Sequence, residues 1–331
     1  MNRRRRRVTT SGSENSYIGS VTTAHPRTRD ETRLGADQLA ALAAVIEFGS
    51  FDAAADRLHV TPSAVSQRIK ALEQRVGQVL VVREKPCRAT ASGVPLLRLA
   101  AQTALLEAEA LGELGGPGTT QLPRVAVAVN ADSMSTWFTA VLGEVSDVLF
   151  DLRIEDQDHS ARLLREGVVM GAVTTERSPV PGCRVQALGL MRYLPVASPA
   201  YVERHLPEGF TAAAAAHAPS LAWNRDDALQ DSLIRKAFRR AVTRPVHYVP
   251  TAEGFGAAVR AGLGWGMYPE HLAAPDLADG SFVRIADVHL DVPLYWQCWK
   301  LDSPLVARVT GAVRSAAGGL ARRNVRSAPR G

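Results

Sequence analysis

Ser63, Ser66, Gln67, Lys70 and Gln74 fall on one side of a helical projection of residues 61–76, and Val65, Ile69, Leu72 and Val76 fall on the other. Short hydroxyl and amide side chains beside a cation are what a helix needs to hydrogen-bond base edges in a DNA major groove and to meet phosphate. Arg68 adds a further cation to the segment. A solvated amphipathic helix has the same pattern, so this helix alone does not separate the two readings. The other residues with chemical potential are acids with amide and hydroxyl neighbours. Asn130, Asp132 and Ser133, then Glu155, Asp156 and Asp158, then Thr174 and Thr175, each follow an apolar run that reads as a strand. A carboxylate-binding helix start beside several acids suits a zwitterion that carries an extra positive charge. Helix caps and surface charges would use the same residues, and spacing does not decide between the two.

The elements that must position the first group are local. Thr61 suits an N-cap and Pro62 the position after it, where no N–H is needed and φ is already helical. Upstream, residues 37–48 place Leu39, Leu42, Ala43 and Ile46 on one stripe, and Gly49 fits the residue past a helix end. Ser50 can cap a short helix from Phe51 to Leu58, whose Ala54 and Ala55 let another helix cross closely. A long helix, a short helix, a tight turn and a capped polar-faced helix make a helix-turn-helix. Val79 to Val82 then reads as a strand, residues 83–88 as its turn and Ala89-Thr90 as the return. That wing sets Arg83, Lys85 and Arg88 beside the polar helix face, where phosphates would run.

At this point a resemblance becomes specific. Gly49-Ser50-Phe51, Ala54-Ala55, Leu58, Thr61, Ser63-Ala64-Val65-Ser66, Ile69, Leu72-Glu73, Gly77, Leu80, Arg83, Thr90 and Gly93 resemble the N-terminal domain of the LysR-type transcriptional regulators. Two positions depart from the family pattern, Val81 for a common Phe and Pro62 for a common Gln, which removes one polar contact at the start of the helix. The resemblance implies a dimer that offers two recognition helices to two half-sites of promoter DNA.

The chain of 331 residues suggests two or three domains. Its formal charge of +6 is uneven: residues 1–33 hold +5, residues 34–90 +1, residues 91–319 −4 and residues 320–331 +4. The bulk of the chain is mildly acidic, so its ligand need not be an anion. No apolar run approaches the ~20 residues of a membrane span. Arg3 to Arg7 precede no apolar segment of the kind an export signal carries, which places the expected protein in the cytoplasm. Cys87, Cys183 and Cys298 are odd in number and far apart, and read as isolated thiols rather than a disulfide frame or metal site. A redox-sensing role for Cys87 is a minor alternative.

Residues 1–35 form a basic arm poor in large apolar groups, expected to be disordered and dispensable for site discrimination, followed by a winged helix-turn-helix over 36–91. Residues 92–114 read as one long linker helix with leucines over much of its circumference, which a second copy of the helix would bury. The LysR resemblance assigns that helix to dimerisation. A hinge at 115–123 follows, rich in Gly, then strands alternating with helices, which imply a parallel, doubly wound sheet. Residues 124–193 with 290–319 form one expected lobe, 194–289 a second, and 320–331 a basic tail. This two-lobed α/β unit resembles the effector domain of the same family, akin to periplasmic binding proteins. From the second lobe, residues 223–227 and the helix start at Thr251 to Phe255, including Glu253, face the expected cleft.

The stretches 155–160, 189–193 and 223–230 resemble the branch of the family that controls export of basic amino acids, and the likeness spans residues 36–317. It implies L-lysine and L-arginine as co-effectors, RNA polymerase as a partner, and a homodimer or homotetramer. No enzyme is expected: the chain lacks G-x-S-x-G, H-E-x-x-H and a P-loop lysine, and Gly262-Leu-Gly-Trp-Gly266 has the spacing of a helix end rather than a nucleotide loop. No cofactor is implied. The contrasting readings are a DNA-coating or replication-inhibiting protein without an effector, and a regulator with an anionic or aromatic effector. Competition with random DNA separates the first, because a specific site should win by about 10³ or more.

Overall fold

A computed structural model describes residues 33–114, 122–155 and 157–321, with the side chains of 157–159 left aside. Most of the basic arm and of the hinge, Asp156, the side chain of Asp158 and the tail from residue 322 therefore lie outside the described residues.

Three helices open the chain, α1 (Ala36–Phe48), α2 (Phe51–Leu58) and α3 (Pro62–Val76). Each start is capped as the side chains dictate. Ser50 Oγ accepts from the Ala53 N–H at 3.1 Å, and Thr61 Oγ1 accepts from the Ala64 N–H at 3.2 Å. Val65, Ile69 and Leu72 are fully buried against Ala54 and Ala55. The stripe on α1 is broader than its period suggests. Leu39, Ala41, Leu42, Ala44 and Val45 are buried, while Ala43 and Ile46 are half-buried. The reason is that α1 packs against α2, α3 and the linker helix α4 (Val94–Glu113) together, so its alanines are covered from several sides.

The wing is shorter than the sequence suggests. Its strands are β1 (Val81–Val82) and β2 (Arg88–Ala89), antiparallel, with Val81 opposite Ala89. Val79 is exposed, and Leu80 is buried but accepts the Thr90 N–H outside the ladder. The Cys87 N–H donates to the Gly49 carbonyl at 2.8 Å and Glu73 accepts the Leu80 N–H at 2.9 Å, which ties the wing to α1 and α3.

After α4 come β3 (Arg124–Val129), a helical run made of α5 (Ala131–Ser133), a π turn (Met134–Phe138) and α6 (Thr139–Glu144), then β4 (Leu149–Ile154), α7 (Gln157–Glu166) and β5 (Gly171–Thr174). The long strand β6 (Cys183–Ala197) carries the chain to a second lobe of α8 (Pro199–His205), α9 (Ala212–His217), β7 (Ser220–Ala222), α10 (Leu229–Phe238), β8 (Val246–Tyr248), α11 (Ala252–Arg260), β9 (Gly266–Pro269), α12 (Glu270–Ala278) and β10 (Val283–Arg284). Strand β11 (Leu290–Trp299) returns, and α13 (Pro304–Ala316) closes the first lobe.

The main sheet has the order β10-β6-β11-β5-β3-β4, with β9 also on β6. β3 is parallel to β4 and β5, whereas β11 runs antiparallel to both β5 and β6. While β7 and β8 pair in parallel in the second lobe, within the main sheet the parallel doubly wound pattern thus holds for three strands only. It ends where the chain returns from the second lobe in the opposite direction. β6 and β11 stay paired from Cys183–Trp299 to Tyr193–Leu290, with a register shift at Leu294/Tyr295, and are the physical link between lobes.

α4 does not stand free of this unit. Arg98 donates to the Pro181 carbonyl at 2.6 Å, and Ala101 and Leu105 pack on the large core. Glu109 Oε1 accepts both the Ser303 hydroxyl at 2.7 Å and the Leu305 N–H at 3.0 Å, capping α13 from outside. Gly167 sits at φ +73° at the end of α7, and a Cβ there would lie 2.5 Å from the Arg98 Cα, so glycine is required for the approach. Leu99, Leu106, Leu111 and Leu114 remain exposed on the far side of α4.

Glu109→Ala leaves two donors at the start of α13 without an acceptor, and is expected to cost about 1–2 kcal/mol in denaturant unfolding. Hydrogen exchange should then rise in both α4 and the first turn of α13. Unchanged protection would show that Glu109 does not hold the helix down.

Candidate functional site

Ser63, Gln67 and Lys70 are exposed along α3, and Ser66 is half-exposed on the same face. Lys70, Lys85 and Arg88 are exposed and enter no ion pair among the described residues, which leaves them available to phosphate. Arg83 is placed by two contacts, 3.8 Å from Glu73 Oε2 and with its guanidinium 5.1 Å from the Phe51 ring centroid. Arg68 is set apart from the others. It turns toward α1 and pairs with Asp37 at 3.2 Å, because residue 68 lies about 100° around the helix from Gln67. The pair is partly exposed, so it holds Arg68 weakly. Cys87 is buried in this domain's core, and Cys183 is pushed up to about 11 by burial, so both are poorly nucleophilic settings.

The second site is a cleft of about 510 Å³ between the lobes. One wall carries Asn130, Asp132, Glu155 and Tyr193, and the other carries Trp223, Asp226, Asp227 and Tyr268. Its lining includes four carboxylates and no Lys or Arg. Asn130 Oδ1 accepts from the Ser133 N–H at 2.7 Å, which fixes the amide so that Nδ2, buried and without a partner among the described residues, is left for a ligand. Tyr193 donates its hydroxyl to Asp132 Oδ2 at 2.6 Å. Burial pushes Asp132 up to about 6 against the pull of the Tyr193 hydrogen bond, and the charge of Asp227 across the cleft adds to the rise. Burial and then Asp132 hold the Tyr193 phenol well above its ordinary value, so it stays a donor. Asp227 is fixed by the N–H groups of Trp223 at 2.9 Å and Leu229 at 3.0 Å. Phe255 and Tyr268 stack in parallel, ring centroids 5.8 Å apart, and both line the cleft. Sequence reasoning had not singled out Tyr193 and Tyr268, which sit inside apolar strands.

The expected acids divide. Asn130, Asp132 and Glu155 come together at the cleft, at the carboxyl ends of β3 and β4. Ser133 lies one turn into the helix, fully buried, its hydroxyl without a partner among the described residues. Thr174 belongs to the sheet core instead, donating to the Glu176 carbonyl at 3.3 Å and accepting from Gln297 at 3.2 Å. Thr175 and Glu253 do not line the cleft. Thr251 caps α11 by accepting the Gly254 N–H at 3.0 Å, and the turn then directs Ala252 and Phe255 inward and Glu253 to solvent. No group of His, Cys, Asp and Glu able to hold a metal, and no helix long and apolar enough to cross a membrane, occurs among the described residues.

A capped recognition helix with a wing, a linker helix and a two-lobed α/β unit around an acidic cleft define a ligand-responsive DNA-binding regulator. Residues 36–94 match the bacterial regulatory helix-turn-helix protein, lysR family, and residues 121–317 match the LysR substrate binding domain. The chain belongs to the LysR family of transcriptional regulators. It is 75% identical over 292 residues to the HTH-type transcriptional regulator LysG of Mycobacterium tuberculosis H37Rv, covering 88% of this chain and 96% of that one. The crystal structure of ArgP from Mycobacterium tuberculosis superposes with a TM-score of 0.84 at 76% identity, over 88% of this chain and 99% of that one. Full-length LysG from Corynebacterium glutamicum with bound effector Arg gives a TM-score of 0.74 at 42% identity, over 87% and 100%.

Gln67→Ala on an operator should cost about 1–3 kcal/mol and relax discrimination at one or two base pairs, read by fluorescence anisotropy on a point-mutated duplex series. Lys85→Ala with Arg88→Ala should instead weaken all sequences alike and lower the salt slope by about 2. The cleft also has a pH signature. Because Asp132 binds its proton more tightly folded than unfolded, stability should fall as pH rises from about 4 to about 6, by at most about 3 kcal/mol and less to the extent that cleft water screens it. Asp132→Asn should remove that fall in urea titrations across the window.

Proposed function

We propose that the chain is a transcription factor whose cleft takes a cationic amino acid, L-arginine or L-lysine, and that it governs a gene for export of basic amino acids, adjoining its own. The observation that carries this reading is the cleft lining, four carboxylates with no cation among them. An anionic effector would meet repulsion from every wall. A cationic amino acid supplies the missing charge, with its carboxylate donated to by Asn130 Nδ2 and the N–H groups that open α5. Its two cationic groups then share Asp132, Glu155, Asp226 and Asp227. The relative from Corynebacterium glutamicum that is described with bound Arg supports the same class of ligand.

Coupling to DNA follows from what the lobes touch. A ligand held by Asp132 from one lobe and Asp227 from the other favours the closed arrangement, and drives it only by the difference in its affinity for the two. α7 begins beside Glu155 at the cleft and ends at Gly167 against Arg98 of α4. A shift in that lobe therefore displaces the linker helix and, through it, α3. The exposed leucines of α4 fit a second copy of the chain in a homodimer or a dimer of dimers, which sets the spacing of two recognition helices on two half-sites. RNA polymerase is the partner such re-spacing would address. The protein acts by binding, with no reaction of its own.

Calorimetry of the full chain with L-arginine, L-lysine and the neutral isostere L-citrulline tests the reading. Arginine or lysine should bind at least about tenfold tighter than citrulline, as expected for a charge-assisted contact worth ~1.5 kcal/mol or more. Asp132→Asn and Asp227→Asn should each abolish that preference. Equal heats for charged and neutral ligands would sink it. With the wild type, affinity for arginine should weaken by up to about tenfold per pH unit below about 6, since the cation needs Asp132 ionised, and binding near pH 6 should release protons.

A further inference from the structure

A second cavity, of about 320 Å³, lies behind the loop that carries Trp223 to Asp227, entirely within the second lobe. Its character is opposite to that of the cleft: Arg225, Arg235 and Arg244 line it. Arg244 forms the floor. Its side chain is only 6% exposed, donates Nε to Ser220 Oγ at 2.9 Å and Nη1 to Asp231, and lies 5.8 Å from the Trp265 ring centroid. Arg225 is held at the rim by the Tyr248 ring, 5.3 Å from its guanidinium carbon. Arg235 comes from α10 and donates to the Ser232 hydroxyl at 3.4 Å. Neither Arg225 nor Arg235 pairs with a carboxylate among the described residues.

Two acids share this lining, Asp227 and Asp231. Asp227 is already committed to the N–H groups of Trp223 and Leu229, and Asp231 to Arg244. Two guanidinium groups thus line a concave space without pairing to a carboxylate, and the three arginines there exceed the two acids by one charge. The fork of a guanidinium matches the paired oxygens of a carboxylate or phosphate. We propose that this cavity is a second ligand site, distinct from the cleft, which binds a small multivalent anion bearing phosphate or clustered carboxylates. A volume of this size, at the low end for small-molecule sites, suits a compact anion. Asn224 and Asp227 line both cavities, so the anion and the cleft ligand press on opposite sides of one loop. Each should change the affinity of the other by the same factor.

Calorimetry on the full chain, in buffer holding chloride constant, with inorganic phosphate, pyrophosphate and citrate as separate probes tests the site. Saturable one-site binding of at least one probe is expected, weakened about tenfold or more in R225Q/R235Q, a pair of exposed positions. Phosphates alone binding would identify a phosphorylated ligand, and citrate alone a polycarboxylate. Absence of saturable binding by all three, or binding that the double variant leaves unchanged, overturns the proposal. Titration of L-arginine into the same samples reports the cleft separately, so loss of one reading is not mistaken for loss of the other.

Discussion

Asp132 and Asp227 face one another from different lobes, and the cleft between them holds no cation among the described residues. Each acid is fixed by neutral donors, Tyr193 for one and backbone N–H groups for the other, which orient a carboxylate without cancelling it. Like charges of this kind cost least when the lobes are apart and water reaches them. A ligand that brings positive charge reverses the sign, and the same residues then favour closure. In the proposed reading, specificity and movement share a single electrostatic origin.

Transmission depends on close packing rather than charge. β6 and β11 join the lobes as a paired ribbon whose register shifts at Leu294/Tyr295. On the side away from the cleft, Gly167, Arg98, Glu109 and Ser303 fasten the linker helix to the first lobe at both ends. Packed interiors respond to displacement by moving as units, so a helix held at two points follows its lobe. The exposed leucines on the other face of α4 are the part of this arrangement that one chain leaves unfinished.

Much of the DNA-binding domain is legible along the chain because its determinants are local. Thr61, Pro62 and Gly77 mark the ends of α3, and its apolar period identifies the inward face from sequence alone. α1 reads less well. Its true inward surface includes Ala41 and Ala44, since three other helices surround it, and small residues have no hydrophobic period strong enough to show that. The strand-end rule picks out Asn130, Asp132 and Glu155, which the fold brings together at the cleft. The same rule misplaced Thr174, because β5 lies inside the sheet with Gln297 reaching its hydroxyl, and Glu253, because the phase of a helix turn cannot be read from its first residues.

The order of caps, turns and apolar periods along the chain settled the helix-turn-helix, the linker and the alternation of strands with helices, for these depend on contacts within a few residues. Where β6 and β11 cross was decided only by the fold. So was the meeting of Tyr193 with Asp132, and the fact that the acidic cleft and the arginine-lined cavity share one loop. Those contacts join residues tens of positions apart, and no short-range preference encodes the distance between them.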